Sequence, residues 1–247
     1  MTRTLAIGFL FFSSFGTAQE PPILIRMIRE PSREAATERI LNYQGFRAGT
    51  LVLASTATTG PPETLFFEIH DSYASLEFID AGLTKLSERS APYSTLLLYV
   101  PGLSFRPDLA AKLLPSARYL QISTYRIRPG TGPEFGELIR LRRAGYDAIN
   151  LDRPEMAYQV VSGASSGTYV MITPLTSLKT LDNGIIRSPA YAAAMGDSGP
   201  NLRKIAAEIE LSRDQQLLRL DPQTSYVSTE FAEMGGDNFW RPKFSAR

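Results

Sequence analysis

The stretch YLQISTYRIRPGTGPEFGELI, residues 119–139, decides how the rest of the chain is interpreted. Its first part alternates β-branched or aromatic residues with polar ones and stops at Pro-Gly, which predicts a strand over 119–129. Pro133 suits the first turn of a helix. Apolar side chains then recur at helical spacing, which predicts an amphipathic helix over 132–150.

The same order of elements continues downstream and is repeated in the first half of the chain. Residues 156–162 and 167–173 predict two further strands, and Pro174 is predicted to begin a short helical stretch that ends at residue 183. The first half predicts strands over 23–29, 51–57 and 64–70, and helices over 32–43 and 72–86. Each half is thus predicted as β-α-β-β-α with a possible last strand, which is the order of the split βαβ, or ferredoxin-like, unit.

Short matches between the halves favour an internal repeat over chance similarity between amphipathic segments. Ser75-Leu76 aligns with Ser177-Leu178 at a shift of 102 residues. LLLYVPGLSFRP (96–107) resembles LLRLDPQTSYVS (217–228) at a shift of 121. The larger shift predicts a helical insertion near 185–199.

These patterns predict an α+β fold of two tandem ferredoxin-like (split βαβ) repeats, residues 19–116 and 117–247, the second including the insertion and a C-terminal tail. A ferredoxin-like sheet has helices on one face only, so its other face must be covered. Two copies in one chain can cover each other. We therefore expect an intramolecular dimeric α/β barrel.

Residues 117–183 resemble dimeric α/β-barrel proteins, including the antibiotic-biosynthesis-monooxygenase-like and NIPSNAP-like families. The shared pattern is an aromatic-rich strand, a basic residue, Pro-Gly and a helix that begins near a Phe. Tyr125, Arg128, Pro129-Gly130 and Phe135 fit this pattern. YQVVSGASSGTYVMITPLTSLKTLD (158–182) looks like the second and third strands and the next helix of these families. The first half is similar to them only through the repeat.

The resemblance implies a fold more than an activity. The superfamily includes cofactor-independent oxygenases, haem-degrading enzymes, small-lactone and dye-decolourising enzymes, and members of unknown function. The haem-degrading members use an Asn, a Trp and a His placed in the sheet. Here the only Trp is Trp240, in the tail, and the only His is His70, in the first half. Haem degradation is therefore not expected, and no cofactor is predicted.

Residues 1–18 have the three parts of a secretory signal peptide. Arg3 supplies a positive charge, residues 5–12 are apolar, and small residues lead to Ala18. The apolar part is too short for a stable membrane anchor, and a buried N-terminal helix is the alternative. We expect cleavage near Ala18 and an exported protein, periplasmic or extracellular, without a membrane anchor.

The composition excludes several classes of function. The 247 residues carry 26 Lys and Arg against 25 Asp and Glu, so the net charge of +1 does not favour nucleic acid as a partner. The absence of Cys excludes disulfides, thiolate catalysis, zinc–thiolate sites and iron–sulfur clusters. No calcium-loop pattern is present, and no metal site is predicted.

Two glycine-containing motifs resemble functional loops but lack their context. Residues 163–167, GASSG, fit the G-x-S-x-G pattern of a nucleophile elbow, yet their flanks are predicted strands and no His follows Ser165. Residues 130–132, GTG, are followed by Phe135 where a dinucleotide loop has its third glycine. We therefore predict a hairpin turn and a strand-to-helix turn.

Glu68 and His70 are the candidate catalytic residues. They stand two apart on the predicted strand 64–70 and so share a face. If the apolar residues of the other face pack on helices, Glu68 and His70 face the barrel interior. A His beside a carboxylate could act as a general base there. The alternative is a structural role, with His70 ending the strand.

Tyr125, Tyr158 and Tyr169 are the candidate ligand-binding residues. Phenols on a sheet face can line a pocket and donate hydrogen bonds, although Tyr is also common in strands without any such role. The tail, residues 237–242, carries Phe239 and a Trp and is expected to pack on the barrel or on a partner chain.

The arginines of the second-half helix, Arg140, Arg142 and Arg143, are predicted to form a solvated face. Glu137 and Asp147 stand at spacings that allow ion pairs with them along the helix. This interpretation assigns the cluster no binding function.

Acid–base and metal-ligating residues are sparse, so the sequence favours a small-molecule-binding or interaction module. Two alternatives stay open. One is a cofactor-independent monooxygenase-like enzyme that acts on a small apolar or aromatic substrate in the barrel. The other is an oligomeric scaffold whose aromatics, including Trp240, bind a partner. The expected partners are a small-molecule ligand and further copies of the chain.

Overall fold

The computed structural model describes residues 20–46, 50–84 and 93–242. The predicted signal peptide, residues 1–18, lies outside these ranges, as does the end of the helix predicted over 72–86. Eight strands lie in the described residues: β1 (Leu24–Glu30), β2 (Val52–Ala57), β3 (Thr64–His70), β4 (Tyr93–Tyr99), β5 (Tyr119–Ile127), β6 (Met156–Ser162), β7 (Thr168–Leu175) and β8 (Glu210–Leu220). They close into one antiparallel barrel in the order β1-β3-β2-β8-β5-β7-β6-β4.

Eight α-helices accompany the strands in the same described residues: α1 (Arg33–Phe46), α2 (Tyr73–Thr84), α3 (Pro107–Leu113), α4 (Gly132–Ala148), α5 (Lys179–Ile186), α6 (Ser188–Met195), α7 (Ser198–Ile209) and α8 (Thr229–Met234). The prediction that a helix begins at Pro174 is wrong, because Pro174 belongs to β7. Strand β6 begins opposite Ile172, so Pro174 has only one strand beside it. Such an edge position tolerates a residue without an N–H.

Both halves of the chain contribute four strands in the same spatial order, β4-β1-β3-β2 and β8-β5-β7-β6. The barrel closes where β2 pairs with β8 and β4 with β6. A serine bonds the backbone near each junction: the N–H of Ala54 donates to Ser225 Oγ, and that of Ala157 to Ser104 Oγ, both at 2.9 Å. These serines belong to the two segments that match in sequence, 96–107 and 217–228.

The barrel interior is filled with apolar side chains from both halves. Its buried members include Ile25, Met27, Leu53, Leu65, Phe67, Leu97, Leu120, Ile122, Tyr158 and Leu218. Trp240 joins this cluster at only 3% exposure, packs its ring on Phe231 at 5.4 Å between centroids, and donates to the Pro115 carbonyl. The tail therefore packs back on the barrel, and the hypothesis that Trp240 is an exposed partner-binding aromatic is wrong.

Helices cover the outer face of both half-sheets. In the first half, Ile28 and Phe66 pack with Ile40 of α1 and Ile79 of α2. In the second half, strand residues pack with Phe135 and the other apolar residues of α4. The sheet is therefore buried on its two sides. No helix in the described ranges is long and apolar enough to cross a bilayer.

Candidate functional site

The predicted acid–base pair lies on the helix-covered face of the first-half sheet. Leu65 and Phe67 belong to the interior cluster, whereas Phe66, which shares a face with Glu68 and His70, packs beneath α1 and α2. The expectation that Glu68 and His70 face the barrel interior is therefore wrong. Both sides of β3 are apolar, so the row of apolar residues does not mark the helix side.

Glu68 is the buried centre of a group of polar residues, here named the Glu68 cluster: Arg26, Tyr43, Glu68, His70, Ser75 and Asp80. Arg26 stands opposite Glu68 in the register of β1 and β3 and donates from Nε to Glu68 Oε2 at 2.6 Å. Arg26 also pairs with Asp80 of α2. The Glu68 side chain has no exposed surface, and that of Arg26 is 15% exposed.

Glu68 is ionised at neutral pH despite its burial. Burial acts to raise the pKa of the carboxyl, but His70 and the Arg26 guanidinium together outweigh it, and the pKa is lowered. Tyr43 responds in the opposite sense. Burial and the nearby Glu68 charge raise the pKa of its phenol, although Arg26 and Arg39 act against them. Tyr43 is therefore a neutral hydroxyl beside a carboxylate.

The hydrogen bonds around His70 fix how its ring can act. Ser75 Oγ donates to the Ser72 carbonyl at 3.0 Å, so it has only lone pairs left for His70 Nδ1, which lies 3.2 Å away and must donate. Nε2 lies 3.5 Å from Glu68 Oε1, longer than a normal hydrogen bond. Without a proton on Nε2, two lone pairs face each other. A proton on Nε2 or a bridging donor makes this contact attractive.

Three buried polar atoms of the cluster have no hydrogen-bond partner among the described residues: Glu68 Oε1, His70 Nε2 and Tyr43 Oη. Arg39 donates from Nε to Glu30 Oε1 at 2.6 Å, and its charge also acts on the Tyr43 phenol. The cluster thus offers an anionic acceptor, a phenol donor and an imidazole nitrogen.

The second half provides an internal comparison for this cluster. The two junction serines make Ala54 and Ala157 equivalent, and these residues lie opposite Phe66 and Met171. Two residues after Phe66 on β3 comes Glu68, paired with Arg26; two residues after Met171 on β7 comes Thr173, paired with Gln121. A further two residues along, His70 corresponds to Leu175. The second half closes with neutral residues at these positions. The charges of the Glu68 cluster are therefore not required for strand pairing in this fold.

The three candidate tyrosines do not meet at one site. Tyr125 and Tyr169 lie on the helix side and pack on Phe135 of α4. Their ring centroids lie 5.4 Å and 4.6 Å, respectively, from the centroid of the Phe135 ring. Tyr158 lies in the barrel interior, 5.7 Å from the ring of Tyr99. Sequence alternation places the first two on one face but does not reveal that the third points the other way.

The predicted solvated arginine face is correct for Arg140 and wrong for Arg142. Arg140 pairs with Glu137 at 2.6 Å on the surface. Arg142 is only 8% exposed, and it donates to Glu155 Oε1 and to Tyr125 Oη, each at 2.5 Å. Glu155 immediately precedes β6, so helical spacing could not identify it as the partner.

The two glycine motifs form turns. Gly163 and Gly167 flank the hairpin between β6 and β7 with φ of 85° and 77°, in the region that favours glycine. Gly130 has φ of 86° between β5 and α4. The prediction that both motifs are turns is confirmed.

Solved structures share this fold at low sequence identity. A proposed monooxygenase from Fusobacterium nucleatum has a TM-score of 0.52 and 11% identity over 81% of this chain and 93% of its own. A proposed monooxygenase from Lactobacillus acidophilus NCFM has a TM-score of 0.51 and 9% identity over 81% and 94%. An anthrone oxidase-like protein has a TM-score of 0.50 and 11% identity over 83% and 93%.

No protein-family profile matches the chain, and no curated protein matches its sequence. At 9–11% identity, the likeness to solved structures extends to the fold alone. The chain is therefore a mixed α+β protein whose eight strands close into one antiparallel barrel, and these solved structures share its fold.

Proposed function

We propose that the protein binds a small molecule and that this ligand contacts the Glu68 cluster. The observation that carries the proposal is the group of three buried polar atoms without partners, Glu68 Oε1, His70 Nε2 and Tyr43 Oη. Each unsatisfied buried polar group costs about 1–3 kcal/mol. A ligand that accepts from Tyr43 and donates to Glu68 would remove much of this cost.

The neutral counterparts in the second half support a functional origin for the cluster. Gln121, Thr173 and Leu175 occupy the equivalent positions without disturbing the barrel. Burial makes a charged residue energetically unfavourable. Buried charges that the fold does not need are more common at functional sites than elsewhere.

The residues that separate the site from solvent favour a small ligand. Arg26 and Asp80 are the outermost members of the cluster, with side chains 15% and 52% exposed. Helix α2 covers this face with the buried Ile79, while Tyr73 and Phe78 are 57% and 64% exposed. Entry would require Arg26 to swing away from Glu68 or α2 to shift.

A cofactor-independent monooxygenase-like enzyme is the second candidate, favoured by the His70–Glu68 contact in a water-shielded site. His70 Nε2 would accept a proton from an acidic O–H or C–H of a substrate, and Glu68 would stabilise the resulting imidazolium. Structural neighbours that are described as monooxygenases agree with this candidate. Proton transfer to His70 needs no metal or organic cofactor.

Two finer proposals concern the whole chain. The first is that the halves are tandem copies of one ferredoxin-like unit, joined as an intramolecular dimer. The equal strand orders of the halves support this, as do Ser104 and Ser225, each of which accepts a backbone N–H near a junction. The protein is exported; the signal-peptide pattern of residues 1–18 supports this.

The test combines native mass spectrometry with NMR of the sole histidine. The full-length protein, Glu68→Gln and the control Glu137→Gln, which removes an exposed carboxylate, are purified in parallel and screened against small polar aromatics. We expect bound mass in wild type and control but not in Glu68→Gln, together with a ligand-dependent shift of the single imidazole signal. The site is refuted if no compound both loses its binding in Glu68→Gln and shifts the His70 signal.

The enzyme candidate has its own readout. Incubation of each binder with the aerobic protein should give an oxygenated product with wild type and the control, and none with His70→Leu, which introduces the residue of the second half. Binding without turnover retains the first proposal and rejects the second.

A further inference from the structure

A second group of polar and aromatic residues lies on the outer face of the other half, far along the chain from the Glu68 cluster. It is named here the Arg213 cluster: Tyr125, Arg142, Tyr146, Tyr191, Glu210 and Arg213. Arg213 of β8 stands opposite Tyr125 of β5, and its guanidinium carbon lies 5.1 Å from the Tyr125 ring centroid. The buried Arg142 donates to the hydroxyl of the same tyrosine. Tyr125 is therefore flanked by two guanidinium groups.

The two arginines differ in their charge balance. Arg142 is neutralised by Glu155 at 2.5 Å. Arg213 is exposed and forms no ion pair with any carboxylate in the described residues. Glu210 of the same strand lies near enough for the two charges to interact but forms no ion pair with Arg213. Arg213 therefore keeps guanidinium N–H groups available for an external anion.

Two further aromatic side chains, Tyr146 and Tyr191, lie near these arginines. The rings of Tyr146 and Tyr191 lie 5.4 Å apart at 45°, and both are partly exposed. Burial raises the pKa of Tyr191, whose phenol stays neutral. Close packing of α6 on α4 depends on Gly145, because a Cβ there would lie 2.5 Å from both Tyr191 and Met195.

Helix α6, which carries Tyr191, has no counterpart in the described first half. Between α2 and β4 the structure describes no further helix, whereas α6 and α7 stand between α5 and β8 in the second half. Helix α6 thus brings Tyr191 close enough to Tyr125, Arg142 and Arg213 for these groups to affect its pKa. This helix is not part of the strand order that the two halves share.

We infer that the Arg213 cluster binds a small aromatic carboxylate. The carboxylate pairs with the Arg213 guanidinium, and the ring packs on Tyr146 and Tyr191, since flat aromatic faces bury apolar area at little entropic cost. Glu210 competes with the ligand for Arg213. The site is independent of the Glu68 cluster.

Benzoate is the probe for this site, with acetate as an anion that lacks the ring and benzyl alcohol as a ring that lacks the anion. Binding to the full-length protein is followed by NMR titration. Benzoate should bind more tightly than either comparison compound. Arg213→Ala should weaken it at least about tenfold, the loss of one charge-assisted contact, and Glu210→Gln should tighten it several-fold.

Arg219→Ala is the matched control, because Arg219 is another exposed arginine on β8. Its affinity for benzoate should equal that of wild type, and Glu68→Gln should also leave it unchanged. Circular dichroism and Trp240 emission confirm that each variant is folded. Three results would each overturn the inference: no benzoate binding to wild type, equal weakening by Arg213→Ala and Arg219→Ala, or acetate binding as tightly as benzoate.

Discussion

Replacement of Glu68 by Gln tests whether the carboxylate at the centre of the Glu68 cluster is tightly held. The change keeps the shape of the side chain and removes its charge. A fully buried ion pair that loses one partner destabilises a protein by about 3–5 kcal/mol. Arg26 stays paired with Asp80 and is 15% exposed, so the full penalty does not apply. The loss of one charge-assisted hydrogen bond predicts a decrease in the free energy of unfolding of about 1.5–3 kcal/mol at pH 7.

Urea denaturation followed by Trp240 emission measures this change, because Trp240 is the only tryptophan and is buried. The matched control is Glu137→Gln, which also removes a carboxylate paired with an arginine. Glu137 is on the surface, where solvent screens the pair. We expect its effect to be much smaller than that of Glu68→Gln.

The pH dependence adds a second test of the same residue. The folded-state pKa of Glu68 lies below the unfolded value of about 4.5, so its ionisation stabilises the fold above that pH. The stability difference between wild type and Glu68→Gln should be complete at pH 7. It should shrink as the pH falls below about 4.5 and passes the folded-state pKa. A difference that equals the control, or one that does not change on acidification, would refute the reasoning.

Two further predictions concern the second half. Glu155→Gln removes the carboxylate that pairs with Arg142, which is only 8% exposed. The free energy of unfolding measured in urea should therefore fall by about 3–5 kcal/mol. A loss below about 1 kcal/mol would contradict this prediction. Gly163→Ala places a Cβ 2.1 Å from the Ser94 carbonyl oxygen at a φ of 85° and should lower the thermal midpoint measured by circular dichroism. The control, Gly136→Ala, lies in a helix with open space around the new Cβ and should raise the midpoint slightly. Similar midpoints for both variants would contradict the steric argument.

The sequence carries enough information for the order of the elements and for several of their limits. Residues 64–70 and 156–162 were predicted as strands with the limits that the structure has. The match between 96–107 and 217–228 marks the segments that hold the junction serines, Ser104 and Ser225. Local periodicity and turn residues determine such features, and both can be read along the chain.

Partners that come from distant segments could not be predicted in this way. Arg142 fits a solvated helix face when only its neighbours along α4 are considered, and the structure brings Glu155 and Tyr125 to it instead. The Glu68–Arg26 pair likewise depends on the register of β1 against β3. Helical spacing describes pairs within one element, whereas these pairs arise between elements.

The reversed faces of β3 have a more general cause. In a sheet with one face in water, alternation separates a buried side from a solvated one. A barrel of this type buries its inner face in the core and its outer face under helices, so Phe66 and Phe67 are both buried although they point in opposite directions. Alternation therefore correctly places Glu68 and His70 on one face but cannot say which. The assignment follows only from their contacts, because Asp80 of α2 and Tyr43 of α1 lie on the helix side. The proposed site consequently lies between sheet and helices, where movement of a covering helix, rather than opening of the barrel, would admit a ligand.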